Sequence, residues 1–248
     1  MISKSTAKFI KSLQIKKYRI IEGCFLVEGA KNVQELIHSD YKVRMVLGTV
    51  DYFKNNQVLG LKDQFEKVEV SQKELAGLGT FQANNQALGV AEIPPNQIVP
   101  LTNKEFTLVS DRIQDPGNLG TIVRVADWYN IKNLICSSDT ADFYNPKVIN
   151  ATMGSFTRVN HFYTDLKSFL EETSLPKIGT LLQGEDVHNF DFGLGGLIIL
   201  GNESHGVSKE LIPFIDSFIS IPKYGRAESL NVAVASAIIC DNMSRLSK

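Results

Sequence analysis

Three loops, each following an apolar run, carry the polar side chains with which this sequence could do chemistry. The first loop, residues 111–124, contains prolines and glycines that indicate a tight turn leading into a helix. Within it, Asn118 offers an amide that can both donate and accept hydrogen bonds, and Arg124 is the charged member of an otherwise apolar helix. Simpler interpretations stay open, in which Asn118 is a turn residue or helix cap and Arg124 forms an exposed ion pair with Asp127.

The second loop, residues 201–206, follows the apolar run 197–200, and its glycines would let the backbone approach a ligand closely. Glu203 could orient a hydroxyl group or pair with a cation, or it could be a solvated loop acid. We interpret His205 as a polar loop residue rather than a base. The glycine spacing is that of a phosphate-binding loop, but Val207 stands where that motif requires lysine, which argues against nucleotide hydrolysis. The sequence also has no G-x-G-x-x-G motif, which argues against a dinucleotide-dependent dehydrogenase.

The third loop follows the apolar run 218–221 and brings Ser229 and Asn231 to the start of a long apolar helix, 232–246. A serine in this place could be only the N-cap of that helix. Because the helix is apolar on several faces, we expect it to be buried, either in the core or against a second subunit.

Beyond residue 105, apolar strands alternate with helices, which is typical of an α/β fold with a mostly parallel sheet and helices on both faces. Ligands of such sheets bind beyond the carboxyl ends of the strands, so the three loops should meet at one edge of the sheet. The predicted strands are 106–110, 133–136, 158–162, 178–182, 197–200 and 218–221, and the predicted helices are 120–129, 146–153, 166–172, 209–214 and 232–246.

Upstream of a boundary marked by Pro94, Pro95 and Pro100, the sequence predicts a small α/β domain. We therefore divide the chain into a domain of residues 1–95, a linker of residues 96–104 and a second domain of residues 105–248. The predicted strands of the small domain are 24–28, 43–47, 67–70 and 88–93, and its predicted helices are 5–13 and 29–39.

The net charge of −1 hides an uneven distribution, since residues 1–95 hold 13 basic and 10 acidic side chains while the rest hold 13 and 17. The first 21 residues contain no acid and six basic residues, namely Lys4, Lys8, Lys11, Lys16, Lys17 and Arg19. Such a stripe can attract phosphates even on a neutral protein, although it could also be a solvated helix face. Tyr18, Arg19 and Phe25 could stack on nucleic-acid bases, with burial in the core as the alternative.

The composition is that of an ordinary globular protein, and no apolar run approaches the length that spans a membrane. Cys24, Cys136 and Cys240 are too scattered to suggest a disulfide framework or a zinc site, so we interpret them as buried small residues. From these features we expect a cytoplasmic protein with no metal.

Taken together and in order, the three loops resemble the three motifs of the SpoU (TrmH-type) branch of the SPOUT methyltransferases. The residues that carry the resemblance are Asp115-Pro-Gly-Asn-Leu-Gly-Thr-Ile-Val-Arg124, Leu200-Gly-Asn-Glu-Ser-His-Gly206, and Ile221-Pro-Lys-Tyr-Gly with Glu228-Ser-Leu-Asn-Val232. The segment Phe25-Leu-Val-Glu-Gly29, with the basic helix before it, resembles the substrate-binding domain attached to many of these enzymes. Ser204-His205 and Ala233 depart from residues common in the family, and they bear on the substrate rather than on activity.

The resemblance implies an α/β fold whose C-terminal end forms a deep trefoil knot, a rare exception to the usual rules of chain topology. It implies that S-adenosyl-L-methionine (AdoMet) is bent into the knot and held largely by backbone groups, at the positions matched by Thr180, Gly201, Ile221 and Leu230. It also implies a homodimer in which two catalytic domains pair, with each site near their interface.

The implied activity is AdoMet-dependent methylation of a ribose 2′-hydroxyl in RNA, with catalytic residues at Arg124, Asn118, Glu203, Ser229 and Asn231. In the family the arginine is the proposed activator of the hydroxyl. Because arginine stays protonated at neutral pH, we expect Arg124 to bind phosphate or stabilise the developing alkoxide. The other four would position the ribose, Arg124 and the methionine part of AdoMet.

The appended N-terminal domain favours ribosomal RNA as the substrate, by analogy. Alternatives are a tRNA 2′-O-methyltransferase, a catalytically silent RNA-binding protein of the same fold, and an α/β protein that binds a small molecule. The complete set of polar residues in the three loops argues against the silent protein.

Overall fold

The computed structural model describes residues 2–55, 65–80, 86–202 and 204–246, and the chain forms two compact units. The first unit comprises Met1–Pro95 together with Asp142–Thr157, and the second comprises Asn96–Ala141 and Arg158–Lys248. The chain therefore passes from one unit to the other three times, after residues 95, 141 and 157.

In the described part of residues 1–95 the helices are α1 (Lys4–Ser12), α2 (Lys16–Glu22), α3 (Ala30–Ile37), α4 (Val50–Asn55) and α5 (Gln72–Leu78), and the strands are β1 (Cys24–Glu28), β2 (Val43–Gly48), β3 (Glu66–Glu69) and β4 (Ala87–Glu92). In the described part of residues 96–248 the helices are α6 (Pro116–Trp128), α7 (Pro146–Thr152), α8 (Leu166–Glu172) and α9 (Val232–Leu246), and the strands are β5 (Phe106–Ser110), β6 (Asn133–Ser137), β7 (Asn160–Thr164), β8 (Lys177–Asp186), β9 (Gly196–Leu200) and β10 (Ser217–Ser220). None of the helices in the described ranges combines the length and apolarity needed to cross a membrane.

The sheet of the first unit has the order β1-β4-β2-β3, with β4 antiparallel to both neighbours and β2 parallel to β3. Helix α1 begins after Ser3, whose hydroxyl accepts a hydrogen bond from the Thr6 backbone N–H at 3.0 Å. The helix faces the core with apolar side chains and exposes its lysines to solvent. The core beside it is formed by Ile10, Leu13, Leu26, Leu47, Leu75 and Leu88, which are fully buried.

The segment Asp142–Thr157 is held in the first unit by aromatic packing and an ion pair. Phe25 of β1 has ring-centroid distances of 4.5 Å to Tyr144 and 6.2 Å to Phe156. Arg19 of α2 is 2% exposed and donates to the Asp142 carboxylate at 2.5 Å. Arg19 and Phe25 are buried, so the interpretation that they belong to the core is confirmed and they cannot stack on RNA bases, whereas Tyr18 is exposed.

The sheet of the second unit has six strands in the order β10-β8-β9-β5-β6-β7, and every neighbouring pair is parallel. This confirms the predicted α/β fold with a mostly parallel sheet. The linker begins with Asn96, whose side-chain amide donates to the Tyr163 carbonyl of β7 and accepts from its N–H, both at 2.9 Å. This amide occupies hydrogen-bonding groups of the edge strand that a further strand would otherwise use.

Four elements of the second unit differ from the prediction by more than one residue. Helix α6 begins at Pro116 rather than at residue 120, and strand β8 extends to Asp186 rather than ending at residue 182. The predicted helix 209–214 is only a 3-10 turn, Ile212–Phe214, because Pro213 lacks the N–H that a continuing α-helix needs. Strand β7 begins at Asn160 rather than at residue 158. In the first unit, α2, α4 and α5 are helices that the sequence did not predict.

Cys24, Cys136 and Cys240 are all free and buried, which confirms their interpretation as small core residues. Burial raises the pKa of Cys240 to about 12 and raises the pKa of Cys136 as well. Both thiols therefore stay protonated near neutral pH, and a protonated thiol is a poor nucleophile.

Candidate functional site

Four neighbouring strands of the second unit, β10, β8, β9 and β5, end at the same edge of the parallel sheet. The three loops singled out in the sequence follow β5, β9 and β10, and Thr180 lies in β8. From β5 the chain proceeds to β6 and β7 on one side of the sheet, whereas β9 and β8 lie on the other side. The point between β5 and β9 is thus a topological switch, where open α/β sheets form a crevice for ligands.

Asn118 and Asn231 come together although they are far apart in the sequence. The Asn231 side-chain Nδ2 donates to Asn118 Oδ1 at 2.9 Å. Asn118 lies in the first turn of α6, where its backbone N–H donates to the capping carboxylate of Asp115 at 2.9 Å. The hydrogen bond between the two amides therefore fixes the start of α6 against the start of α9.

Asn231 is also the N-cap of α9, because its Oδ1 accepts from the backbone N–H groups of Ala233 and Val234 at 3.0 and 3.2 Å. The cap is thus Asn231 and not Ser229. The N-termini of α6 and α9, which carry partial positive charge, lie side by side at this edge of the sheet. Their partial charges favour negative charge that develops on a bound group.

The loop after β9 is closed on itself and leaves no space for a side chain at Gly201. The backbones of Asn202 and Gly206 exchange hydrogen bonds at 3.0 and 2.8 Å, and Gly206 has a φ of +66°. A Cβ at residue 201 would lie 2.2 Å from the Gly206 carbonyl carbon and 2.2 Å from the Val207 nitrogen. A glycine is therefore required at residue 201.

Two side-chain contacts join this loop to the loop after β5. The buried Asp111 accepts hydrogen bonds from the Ser208 backbone N–H and from its hydroxyl, both at 2.6 Å. The Asn202 side-chain amide donates to the Arg112 carbonyl at 2.9 Å. Arg112 has a φ of +56°, a conformation that costs free energy for a residue other than glycine and that these contacts help to maintain.

Strand β8 is interrupted where it reaches the site. Its pairing with β10 shifts from Phe218 opposite Gly179 to Ile219 opposite Glu185, so residues 180–184 bulge out. Thr180 begins this bulge, and its hydroxyl donates to the Ile199 carbonyl of β9 at 3.1 Å. The backbone of residues 180–184 is therefore not paired in register with β10.

The loop after β10 is the most exposed of the three. Ile221 is half-buried at the end of the strand, whereas Ser229 and Leu230 are exposed and Tyr224 is 94% exposed. No hydrogen bond joins Ser229 to any other described residue. This segment thus presents both polar and apolar side chains to solvent.

Arg124 is exposed on α6 and does not form the ion pair with Asp127 that its spacing allowed. The Asp127 carboxylate instead pairs with Arg158, whose Nε donates to both carboxylate oxygens at 3.0 Å. Arg124 makes no ion pair with another residue of the described ranges, so its guanidinium can serve an incoming group.

The structure thus joins Asn118 to Asn231 directly. It places Gly201 and Ile221 directly after the ends of β9 and β10, and Thr180 at the start of the bulge in β8. No side-chain hydrogen bond or ion pair joins Arg124 or Ser229 to the other predicted site residues that the structure describes. Glu203 lies outside the described residues. Asp111, Asn202 and Ser208 were not among the predicted site residues, although a polar residue next to a strand end was the signal that identified their neighbours.

The first unit presents a basic surface. Lys4, Lys8 and Lys11 are spaced along one exposed face of α1, and Lys16 and Lys17 are exposed on α2. No ion pair joins any of these five lysines to another described residue. Within the described ranges, no group of three or more His, Cys, Asp or Glu side chains could hold a metal ion.

Comparisons with known proteins match both parts of the chain. A model of the SpoU rRNA methylase family matches residues 105–241, and a model of an MRM3-like substrate-binding domain matches residues 4–89. The chain is 30% identical over 235 residues to the 23S rRNA (guanosine(2553)-2'-O)-methyltransferase of Bacillus subtilis, with 92% of each protein covered. Two AdoMet-bound crystal structures are similar, each with 26% identity. These are the SpoU methyltransferase AviRb from Streptomyces viridochromogenes (TM-score 0.86, 98% of each chain) and an rRNA methyltransferase from Sinorhizobium meliloti (TM-score 0.88, 99% of this chain and 97% of that one).

Proposed function

The chain belongs to the SpoU rRNA methylase family, and on that premise we propose that it transfers the methyl group of AdoMet to a ribose 2′-hydroxyl of ribosomal RNA. The observation that carries the proposal is the arrangement of the three family motifs. They lie at the ends of neighbouring parallel strands, with Asn118 and Asn231 hydrogen-bonded at 2.9 Å. The relatives with AdoMet bound support the choice of cofactor.

The residues at this edge fit AdoMet. At Gly201 no side chain covers the backbone at the edge of the sheet, and a side chain there would collide with residues 206 and 207. Backbone groups there, in the bulge that begins at Thr180, and at Ile221 could bind the polar atoms of the cofactor, while the exposed Leu230 could cover its apolar surface. When bound, AdoMet supplies an electrophilic methyl group on a sulfonium.

The protein must then orient the ribose and provide for the proton of the hydroxyl. We assign to Asn118 and Asn231 the positioning of the ribose, because their amides are joined at this edge of the sheet and an amide can both donate and accept hydrogen bonds. Ser229, exposed in the adjacent loop, adds a hydroxyl, and Glu203 is assigned an orienting role by its place in the second motif. Holding the hydroxyl oxygen in line with the methyl group supplies much of the rate acceleration.

Arg124 is the residue to which we assign stabilisation of the developing alkoxide. In the transfer the ribose oxygen would form its bond to the methyl carbon while the carbon–sulfur bond of the sulfonium breaks to leave a neutral thioether, and the hydroxyl proton would leave to solvent or a nearby acceptor. A free guanidinium can stabilise the negative charge that builds up on the oxygen. The absence of an ion pair between Arg124 and any other described residue supports this role. Arginine remains protonated, so it stabilises charge rather than accepting the proton.

The N-terminal part, residues 1–95, is assigned to RNA binding, with residues 96–104 as a linker and 105–248 as the catalytic part. The match to a substrate-binding domain and the exposed lysines of α1 and α2 support this assignment. We further propose a cytoplasmic location, since an RNA substrate and three unpaired buried thiols fit a reducing compartment. The trefoil knot at the C-terminal end remains a prediction from the family.

We also propose a homodimer formed through the second unit. Exposed apolar side chains lie on α6, on α9 and in the loop that precedes α9, at Trp128 (82% exposed), Val234 (50%) and Leu230 (46%). A second copy that covered these side chains would remove apolar area from water and would close the exposed loop over the cofactor. Sedimentation of the purified protein at micromolar concentration tests this, because a monomer would contradict it.

The experiment that tests the function is methyl transfer from labelled AdoMet to ribosomal RNA, followed by mapping of 2′-O-methyl positions. RNA lacking the modification comes from a strain without the gene. We expect one or a few labelled ribose positions that return when the gene is restored. Labelling of tRNA alone would support the tRNA alternative, and AdoMet binding without any transfer would support a silent RNA-binding protein.

A further inference from the structure

We propose that Arg158 is a positioning residue for methyl transfer, which holds the Asp127 carboxylate so that Arg124 stays available to the substrate. The inference rests on the proposed role of Arg124. Arg158 lies outside all three family motifs, and it precedes β7 at the opposite side of the sheet from β10. It would act through Asp127 and would not touch the reacting atoms.

The contact between Arg158 and Asp127 is a close two-oxygen ion pair. Arg158 Nε lies 3.0 Å from both carboxylate oxygens, and its Nη2 lies 2.9 Å from Oδ2. Charge-assisted contacts of this kind are stronger than ordinary hydrogen bonds and fix the orientation of both groups. The Asp127 side chain is only 23% exposed, so solvent screens the pair incompletely.

The same carboxylate is the natural helical partner of Arg124. The two residues are three apart on α6, and side chains at this spacing are neighbours on a helix surface. With Arg158 in place, Asp127 is already paired and Arg124 forms no ion pair with a described residue. Without Arg158, the carboxylate would turn toward Arg124 and neutralise its charge.

The consequence for the reaction is electrostatic. A guanidinium paired with a carboxylate stabilises a developing alkoxide less well than a free one, because part of its field is cancelled and its donors are occupied. An uncompensated acid on this face would also repel RNA phosphates. Since exposed helical pairs are weak, the expected loss in kcat is about two- to threefold.

The activity test compares the wild type with Arg158→Met, Asp127→Asn and the double variant. Methionine keeps much of the length and bulk of arginine, and melting curves check the fold. We expect Arg158→Met to lose kcat with little change in the AdoMet dissociation constant. Asp127→Asn should keep wild-type activity, and the double variant should recover it. A residue that serves only to hold the fold would not be rescued by removing the charge of Asp127.

A second measurement does not depend on turnover. Phenylglyoxal modifies unpaired arginine side chains, and mass spectrometry gives the rate at each one. In the wild type we expect Arg124 to react faster than Arg158. In Arg158→Met the reaction of Arg124 should slow, and in the double variant it should return to the wild-type rate.

The outcomes separate this inference from the proposed function. Full activity of Arg158→Met, loss of activity without rescue, or a wild type in which Arg158 reacts as fast as Arg124 would each overturn the role of Arg158. Arg124→Ala is assayed in parallel. If it is inactive while Arg158→Met is unimpaired, only the present inference fails. If Arg124→Ala is fully active, the proposed role of Arg124 fails and this inference fails with it.

Discussion

Two residues at the edge of the second unit's sheet are constrained in different ways. Residue 201 must have no side chain, and the proposed role of Arg124 requires a guanidinium that is not paired with a carboxylate. At Gly201 the limit is steric, because backbone atoms of residues 206 and 207 would be 2.2 Å from a Cβ. At Arg124 it is electrostatic, because the nearest helical acid is already paired with Arg158. Both requirements depend on residues that are distant in the chain or across a loop.

We expect Arg124→Ala to lower methyl transfer by about two orders of magnitude or more, because removal of one group that stabilises transition-state charge has an effect of this size. The fold should be kept, since the side chain is exposed. Single-turnover transfer measures the rate, and calorimetry measures AdoMet binding, which should be unchanged. Activity close to that of the wild type would mean that Arg124 is a surface residue.

We expect Gly201→Ala to weaken AdoMet binding and to lower the free energy of unfolding by about 1–3 kcal/mol, the usual cost of forcing an atom into filled space. Gly77→Ala is the matched control, because a Cβ there meets nothing within 4 Å and alanine favours the helix. Denaturant titration and calorimetry on both variants make the comparison. Equal stability and equal affinity in the two variants would contradict the steric account.

The sequence predicted which residue types would gather at the site but not all of their partners. The motifs identified Asn118, Asn231 and Arg124 because strand ends and helix starts can be recognised locally. They could not predict that Asn231 rather than Ser229 caps α9, or that Asp127 forms its ion pair with Arg158. Both outcomes depend on contacts between segments that are separated in the chain, which periodicity does not encode.

At the scale of elements, the strands and the two long helices of the second unit follow from local patterns. Strand β5, helix α8 and helix α9 begin and end where the sequence predicts. The bulge in β8 does not follow from any local pattern, because it depends on Gly184 lying against the Ile219 backbone of β10, where a Cβ would be 2.5 Å away. The register between the edge strand β10 and β8 depends on such packing, and the alternation of apolar and polar residues within one strand does not encode it.

The link between the loops after β5 and β9 gives a prediction at this scale. Ser208→Ala removes one of two hydrogen bonds to Asp111 and should cost about 1 kcal/mol of unfolding free energy. Asp111→Ala leaves both donors of Ser208 without their acceptor and should cost about 2–4 kcal/mol. Because the link positions the loop after β9, we expect both variants to bind AdoMet more weakly than the wild type. The loss of affinity should be larger for Asp111→Ala than for Ser208→Ala.

The control for these variants is Ser39→Ala in the first unit. Its hydroxyl donates to the Leu36 carbonyl at 2.7 Å, a local contact near the end of α3. The substitution should change stability little and leave AdoMet affinity unaltered. Denaturant titration and isothermal calorimetry on all three variants test the prediction, and an Asp111→Ala protein with wild-type AdoMet affinity would show that the link serves stability alone.

At the scale of the whole molecule, the segment Asp142–Thr157 belongs to the first unit although the chain before and after it belongs to the second. A truncation that removes residues 1–95 therefore leaves part of the first unit behind. The segment's apolar side chains Phe143, Val148, Ile149 and Phe156 are buried in the first unit, and Phe25 is one of their partners. Deleting residues 1–95 would expose these side chains, so we expect the remaining chain to aggregate or lose cooperative unfolding. Light scattering and thermal melting of residues 96–248 check this, and a soluble, cooperatively folding fragment would contradict it.

The RNA-binding role of the first unit is therefore tested by neutralising lysines of α1 and not by deleting residues 1–95. The triple variant with Lys4, Lys8 and Lys11 changed to glutamine keeps the fold, because all three side chains are exposed on α1. Each phosphate contact releases counterions, so its loss should make the salt dependence shallower by about 0.7 in the slope of log affinity against log salt for single-stranded RNA. We expect weaker RNA binding with this shallower slope and unchanged AdoMet affinity.

Lys42→Gln is the control, because the Lys42 ammonium already pairs with Glu92 at 3.0 Å in the same unit. Filter binding at several salt concentrations measures both quantities. If the folded triple variant bound RNA with the affinity and salt slope of the wild type, the lysines of α1 would be a solvated helix face and RNA would be bound elsewhere.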